Sequence, residues 1–112
     1  MTLFEKIAAR EIPARIVFEA EDFLAFHDVN PQAPVHILIV PKRAIPRLAE
    51  AQAGDADLLG RMLLATREIA AAAGVAESGY RVVINNGPDA GESVPHLHVH
   101  VLGGRSLQWP PG

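Results

Sequence analysis

The sequence predicts an α+β fold: an antiparallel sheet of about five strands with one long helix and a short N-terminal helix. Short runs rich in Val, Ile and Phe recur between turns that carry Pro, Asn or Gly, the pattern of strands joined by tight connections. From Asp55 or Asp57 to Ala73 the apolar residues Leu58, Leu59, Met62, Leu63, Ile69 and Ala70 instead recur at helical spacing. No internal repeat or linker divides the 112 residues, so residues 1–112 read as one domain ending in a tail, 103–112.

The chain opens on a short amphipathic helix. Thr2 and Glu5 have the spacing of a capping box, and Leu3, Phe4, Ile7 and Ala8 form its apolar stripe. Pro13 ends that pattern. Residues 14–20 and 23–27 read as two strands joined at Glu21–Asp22. Asp28 to Pro34 is a rigid loop, because two prolines and an asparagine cannot continue a ladder. Val35 to Val40 is a run of β-branched and apolar residues interrupted by His36, and it reads as a central strand. Pro41 and Pro46 bracket a turn whose basic residues Lys42, Arg43 and Arg47 are expected to be solvated. The long helix follows, with Gly74 placed just past its end. Tyr80 to Asn85 is the next strand and Asn86 to Ser93 a glycine-bearing loop. His96 to Leu102 is the last strand, closed by Gly103–Gly104.

Hydrophobic residues make up 49% of the chain and charged ones 21%, which excludes a disordered or low-complexity polymer. A net charge of −3 argues against nucleic-acid partners, because phosphate backbones select for excess positive charge. The longest nearly uncharged apolar stretch, Ala33 to Pro41, is too short to span a bilayer, so no membrane partner is expected. Met1 to Arg10 lacks the apolar core of a signal peptide. Cysteine is absent, which excludes disulfides and thiolate metal sites. The expected compartment is the cytoplasm.

Three of the five histidines fall in His96-Leu97-His98-Val99-His100. On a strand, alternate side chains share a face. The three imidazoles therefore project together, while Leu97, Val99 and Val101 form an opposite, apolar face. Polar rings are costly where Thr, Val or Tyr fits more cheaply, which separates this pattern from an ordinary wet sheet surface. Two chemistries use it. A His-x-His pair can chelate a metal, but His96 and His100 lie about 13 Å apart on an unbent strand, so His36 or a carboxylate such as Asp28 would have to complete the shell. Alternatively one imidazole is a nucleophile tuned by its neighbours. Phosphorus is the matching electrophile, since the loop from Gly87 to Ser93 offers N–H groups to phosphoryl oxygens.

The segment from His96 to Leu102, with Gly103-Gly104-Arg105 and Trp109-Pro110-Pro111-Gly112 after it, resembles the histidine-triad (HIT) superfamily. The nucleotide-binding branch of that superfamily, often called Hint, is the nearest match. Glu11-Ile12-Pro13-Ala14, Phe26-His27-Asp28, Pro31 to His36 and Tyr80 to Asn85 match the same branch, so the resemblance runs along essentially the whole chain. It implies a HIT-like fold whose sheet continues across a homodimer. It also implies hydrolysis or transfer at the α-phosphorus of a purine nucleotide, with no metal and no other cofactor. By that resemblance His98 is the nucleophile that forms a nucleotidyl-histidine. His100 lies near the phosphate, His96 holds the strand geometry, and His36 supports the proton network. Ser93 contacts the phosphate and leaving group, and Asp28 the ribose hydroxyls. Asn85 lies in the phosphate and ribose region, and Gly91 and Glu92 belong to the nucleotide-binding loop. Phe4, Ile7, Phe26 and Val29 line an apolar slot for the purine.

These expectations combine into a purine nucleoside phosphoramidase that releases a nucleoside monophosphate such as AMP or GMP. Two alternatives stand beside it: a non-catalytic nucleotide-binding regulatory module, and a dinucleoside polyphosphate hydrolase. Histidine at position 100, where a uridylyltransferase-type branch carries glutamine, favours hydrolysis. Gly103–Gly104 and the tryptophan tail argue against the polyphosphate branch. Pro95 stands where an aromatic residue is common; it is tolerated at a strand start, so the triad strand is expected to survive it. His27 is expected to face away from Asp28. Trp109, costly to expose, is expected to dock on a partner subunit.

Overall fold

A computed structural model describes residues 1–112. Seven regular elements follow one another: α1 (Leu3–Ala8), β1 (Ile16–Glu19), β2 (Phe23–His27), β3 (Val35–Pro41), α2 (Ala56–Ala72), β4 (Tyr80–Ile84) and β5 (Val99–Gly103). The strands form one five-stranded sheet in the order β1-β2-β3-β5-β4, with every neighbouring pair antiparallel. The α+β architecture expected from the sequence is present. No helix is long and apolar enough to cross a membrane.

The capping box forms as its spacing predicts. The Thr2 hydroxyl accepts from the Glu5 amide and the Glu5 carboxylate accepts from the Thr2 amide, satisfying donors that the first turn of α1 cannot pair internally. Helix α2 ends one residue earlier than expected, and Gly74 follows at φ +81°, a conformation open to glycine at little steric cost.

Strands β2 and β3 are buried on both faces, which explains their nearly unbroken apolar sequences. Toward α2, Phe23, Ala25, Ile37 and Ile39 pack with Leu97, Val99 and Val101 and with Met62, Ala65 and Ile69 of the helix. Toward α1, Leu24, Phe26, Leu38 and Val40 pack with Phe4 and Ile7. The short helix thus roofs one side of the sheet and the long helix the other.

β3 runs one residue past its expected end and β4 stops one residue short; the other two differences are larger. β1 covers Ile16–Glu19 and not residues 14–20, and a bulge between Ile16 and Phe18 shifts its register against β2. β5 begins at Val99, three residues later than expected, so His96 and His98 precede the ladder. The pairing of β3 with β5 stops at Ile39–Val99. The next turns of the ladder would need a donor from Pro41, which has none. The Leu97 amide instead donates to the Ile45 carbonyl at 2.6 Å and the His96 amide to Val94 at 2.8 Å. The inside–outside alternation nonetheless persists through this extended segment, with Leu97 in the core beneath α2 and His96 and His98 on the α1 side.

Candidate functional site

Four histidines meet on the α1 side of the sheet; backbone groups fix the proton position on three of the rings, and His36 fixes it on the fourth, His100. His96 is fully buried. Its Nε2 lies 2.7 Å from the Pro41 carbonyl, an acceptor only, so Nε2 carries the proton and donates it. Its Nδ1 then accepts from the Thr2 hydroxyl at 2.6 Å. His98 Nδ1 lies 2.8 Å from the His96 carbonyl and donates to it. That leaves the Nε2 lone pair of neutral His98 with no partner in the chain.

His36 and His100 form the second half of the cluster. The Gln32 amide donates to His36 Nδ1 at 3.0 Å, so the neutral ring carries its proton on Nε2. That Nε2–H points at His100 Nδ1, 2.9 Å away. His100 therefore keeps its own proton on Nε2, which is buried and unpartnered. The wire runs one way, from a backbone amide through two imidazoles to a free N–H donor. Electrostatics agree with this reading. Burial pushes His36 below its ordinary pKa, partly offset by Asp28, whose Oδ2 lies 3.4 Å from its Nε2. Burial, with His98 and His36 nearby, pushes His100 down to about 4. Both rings stay neutral near pH 7, as the wire requires.

A cleft of about 350 Å³ opens beside the cluster. Among the residues that border it are the polar His98, His100, Asp28 and Ser93 and the apolar Phe4, Ile7 and Phe26. The Phe4 ring packs edge-on against His98, centroids 5.1 Å apart, and His98 stands in the same relation to His100 at 4.9 Å. Val29 also borders the cleft, but at 98% exposure it sits at the mouth. Most of the sequence-derived set, ten residues, is thus gathered in two tiers. Eight residues line the cleft: Phe4, Ile7, Phe26, Asp28, Val29, Ser93, His98 and His100. His36 and His96 lie behind them.

Asn85, Gly91 and Glu92 do not border the cleft. Glu92 is turned inward to Arg47, whose Nε reaches its two oxygens at 2.9 and 3.2 Å, and to the Gly87 amide at 2.9 Å. Arg47 was expected in a solvated turn. It instead ties that turn to the loop carrying Ser93, and its partner Glu92 is held below its usual carboxylate range by this contact. Lys42 pairs with Glu19, and Arg43 with Asp55. The sequence also gave no sign of Thr2 as a partner of His96, although its capping role was legible. His27 turns toward α2, as expected, beside Ile69 and Ala72. Trp109 is 83% exposed.

A sheet sandwiched between a short and a long helix, with a directed chain of imidazoles beside an apolar cleft, defines a class of histidine-clustered α+β domains. Residues 9–107 match the HIT domain, and the chain belongs to that family. An uncharacterized HIT-like protein of Synechococcus elongatus is 60% identical over 111 residues, spanning 99% of this chain and 96% of that protein. A 14 kDa zinc-binding protein of Zea mays is 50% identical over 113 residues, spanning 99% of this chain and 88% of its own. The crystal structure of a HIT family hydrolase from Legionella pneumophila superposes with a TM-score of 0.97 at 46% identity, over 100% of both chains. That of a histidine triad nucleotide-binding protein from Candida albicans gives 0.84 at 29% identity, over 98% of this chain and 83% of the other.

The zinc-binding relative raises the question of a metal. Asp28, His36 and His100 bring candidate donor atoms within 4.8 Å of one another. However, His36 Nε2 and His100 Nδ1 face each other across 2.9 Å and share a proton. Two nitrogens on one tetrahedral zinc stand about 3.3 Å apart, with both lone pairs aimed at the ion. The rings as arranged make a hydrogen bond; a shared zinc would need them to part by about 0.4 Å and His36 to give up its Nε2 proton.

Proposed function

We propose that the protein hydrolyses the P–N bond of purine nucleoside 5′-phosphoramidates through a nucleotidyl-His98 intermediate, releasing the nucleoside monophosphate without a metal or other cofactor. The observation that carries this reading is the divided role of the His98 ring. Its Nδ1–H is tied to the His96 carbonyl, which leaves Nε2 as an unoccupied lone pair beside the cleft. A neutral imidazole so oriented is a competent nucleophile near neutral pH.

Attack by Nε2 on the α-phosphorus forms a P–N bond to His98 and breaks the one to the leaving amine. The positive charge that His98 acquires falls on the ring whose Nδ1–H the His96 carbonyl already holds. The His100 Nε2–H, unpartnered in the chain, suits a phosphoryl oxygen. The Ser93 hydroxyl, which borders the cleft, gives a proton to the departing amine in this reading. Water then attacks phosphorus and breaks the bond to His98, which restores the neutral ring, while the proton that the water loses restores the Ser93 hydroxyl. Asp28 has two acceptor oxygens for two ribose hydroxyls, and Phe4, Ile7, Phe26 and Val29 form the wall for a purine face. Asn85, Gly91 and Glu92 act from outside the cleft by shaping the phosphate loop.

The same reading includes a homodimer in the cytoplasm. β4 is an edge strand with Val82 exposed, α2 exposes Leu63 and Leu64, and Trp109 lies open. An apolar group of this kind suits burial against a second copy, with Trp109 reaching the partner.

A competition assay tests the activity. Chelator-treated protein receives equimolar adenosine 5′-phosphoramidate and diadenosine triphosphate, and products are resolved by HPLC. Selective AMP release from the phosphoramidate is the expected result. Preferential cleavage of the dinucleotide, or turnover only after zinc is restored, overturns the proposal.

A further inference from the structure

The imidazole wire begins at a main-chain amide, and that amide lies in an exposed loop. Asn30, Pro31 and Gln32 are all exposed, yet the Gln32 N–H is the group that decides which nitrogen of buried His36 carries the proton. A donor in an exposed loop fixes a tautomer only while the loop is held. Within the loop, Asp28 Oδ1 accepts from the Asn30 amide at 2.8 Å, and Gln32 Nε2 donates to the Asn30 carbonyl at 3.0 Å. These bonds shape the loop but do not fasten it to the sheet.

The loop's first residue is tied to β3 by the Asp28 amide, which donates to the His36 carbonyl at 2.9 Å; around Gln32 the fastening comes from the chain just after β5. Arg105 places Nε at 3.1 Å and Nη2 at 3.0 Å from the Gln32 carbonyl, two charged donors on one acceptor. Its Nη1 donates to the Ser106 carbonyl at 3.1 Å, and no carboxylate pairs with it. The preceding residue makes that reach possible. Gly104 has φ +89°, and a Cβ there would lie 2.9 Å from Pro34 Cβ, so the backbone approaches the loop more closely than any side chain allows. Two independent features, a guanidinium clamp and a glycine-only contact, hold the same loop against the segment that leaves the histidine strand.

We infer that Arg105 is a positioning residue: by holding the Gln32 carbonyl it sets the Gln32 amide against His36 Nδ1, and so fixes the direction of the His36–His100 proton wire. Arg105 does not border the cleft, so it acts through the loop and not on substrate. Loss of the clamp frees His36 to exchange tautomers. A ring with its proton on Nδ1 turns a lone pair toward His100, which then no longer needs to keep its own proton on Nε2. As a statement about catalysis this rests on the phosphoramidase reading; as a statement about the ring it does not.

The test therefore has two arms. In long-range 1H–15N spectra of imidazole-labelled protein, His36 is expected to show a protonated Nε2 and a bare Nδ1, and Arg105→Ala is expected to shift both toward averaged values. In the phosphoramidate assay, Arg105→Ala is expected to lower kcat about tenfold, well within what a positioned proton relay contributes, with KM unchanged. Arg105→Lys keeps one charged donor and recovers part of kcat. Arg67→Ala, an equal change at an exposed arginine that donates only to Leu64 in its own helix, leaves both readouts as in the wild type. An unchanged His36 spectrum in Arg105→Ala overturns the inference, whether or not kcat falls, and so does a rise in KM at constant kcat. If the wild type fails to hydrolyse phosphoramidates, the activity proposal falls while the spectra still decide the clamp.

Discussion

The two faces of the sheet are built from the same strands and are used differently. Toward α2 the main cluster is apolar, twelve buried residues from β2, β3, β5 and the segments beside them and from the helix. Toward α1 a smaller apolar set of six shares its space with His36, His96 and His98, all buried to within 7% exposure. A buried imidazole without partners costs free energy, and here each ring answers that cost with a backbone group: Pro41 and His96 carbonyls, the Gln32 amide. The contrast separates two tasks. The α2 face supplies cohesion, and the α1 face supplies orientation, so damage to one should be distinguishable from damage to the other.

The sharpest way to expose that division is His98→Asn. It removes the lone pair without opening a large void, and phosphoramidate turnover is expected to fall about 10⁴-fold or more, about 5.5 kcal/mol of transition-state stabilisation. Nucleotide affinity, measured by calorimetry, should stay within a few fold. A parallel collapse of affinity would mean that His98 binds and does not attack. Ile39→Ala, fully buried on the opposite face, should do the reverse. It is expected to cost about 2–5 kcal/mol in urea unfolding while leaving kcat per folded molecule close to that of the wild type.

A third measurement concerns pH. His100 sits at about 4 when folded, far below an ordinary histidine, and His36 and His96 are lowered as well, chiefly by burial. Between the unfolded value near 6.5 and about 4, the unfolded chain therefore binds protons that the folded chain does not. Stability is full above that window and falls as pH drops through it. His100→Gln should flatten this slope; a slope equal to that of the wild type would place the titration elsewhere. The smallest effect is expected from Thr2→Ala, which removes the cap of α1 and the donor to His96 Nδ1 together. About 1–2 kcal/mol of stability is the expected loss, read from the midpoint of chemical denaturation.

Much of this was legible because it lies in side-chain spacing. The alternation of His96, His98 and His100 with Leu97, Val99 and Val101 separates the two faces correctly, and the Thr2–Glu5 and Gly74 signals mark helix ends that exist. What escaped the sequence has a common physical origin. The start of β5 depends on Pro41 in a different strand, which lacks the donor that would extend the ladder. Arg47 looks solvated until the fold brings Glu92, 45 residues away, into its plane. The tautomers rest on main-chain carbonyls and one amide, and these are the groups on which residue type is silent. Clustering of histidines could be read from the chain; the direction of their protons could not.

The strand order β1-β2-β3-β5-β4 has a consequence for how the molecule is made. During synthesis β1, β2 and β3 emerge as a meander that can pair at once, but β3 then waits with a bare edge while α2, β4 and the loop after it are translated. Only when β5 arrives can it slide between β3 and β4 and close the sheet. That late, long-range pairing is the slow kind, and until it happens the open edge of β3 is available to other chains. The same few residues deliver His98 and His100. Completion of the sheet and delivery of the proposed nucleophile are one event, so on that proposal a nascent chain with an unfinished sheet is inactive.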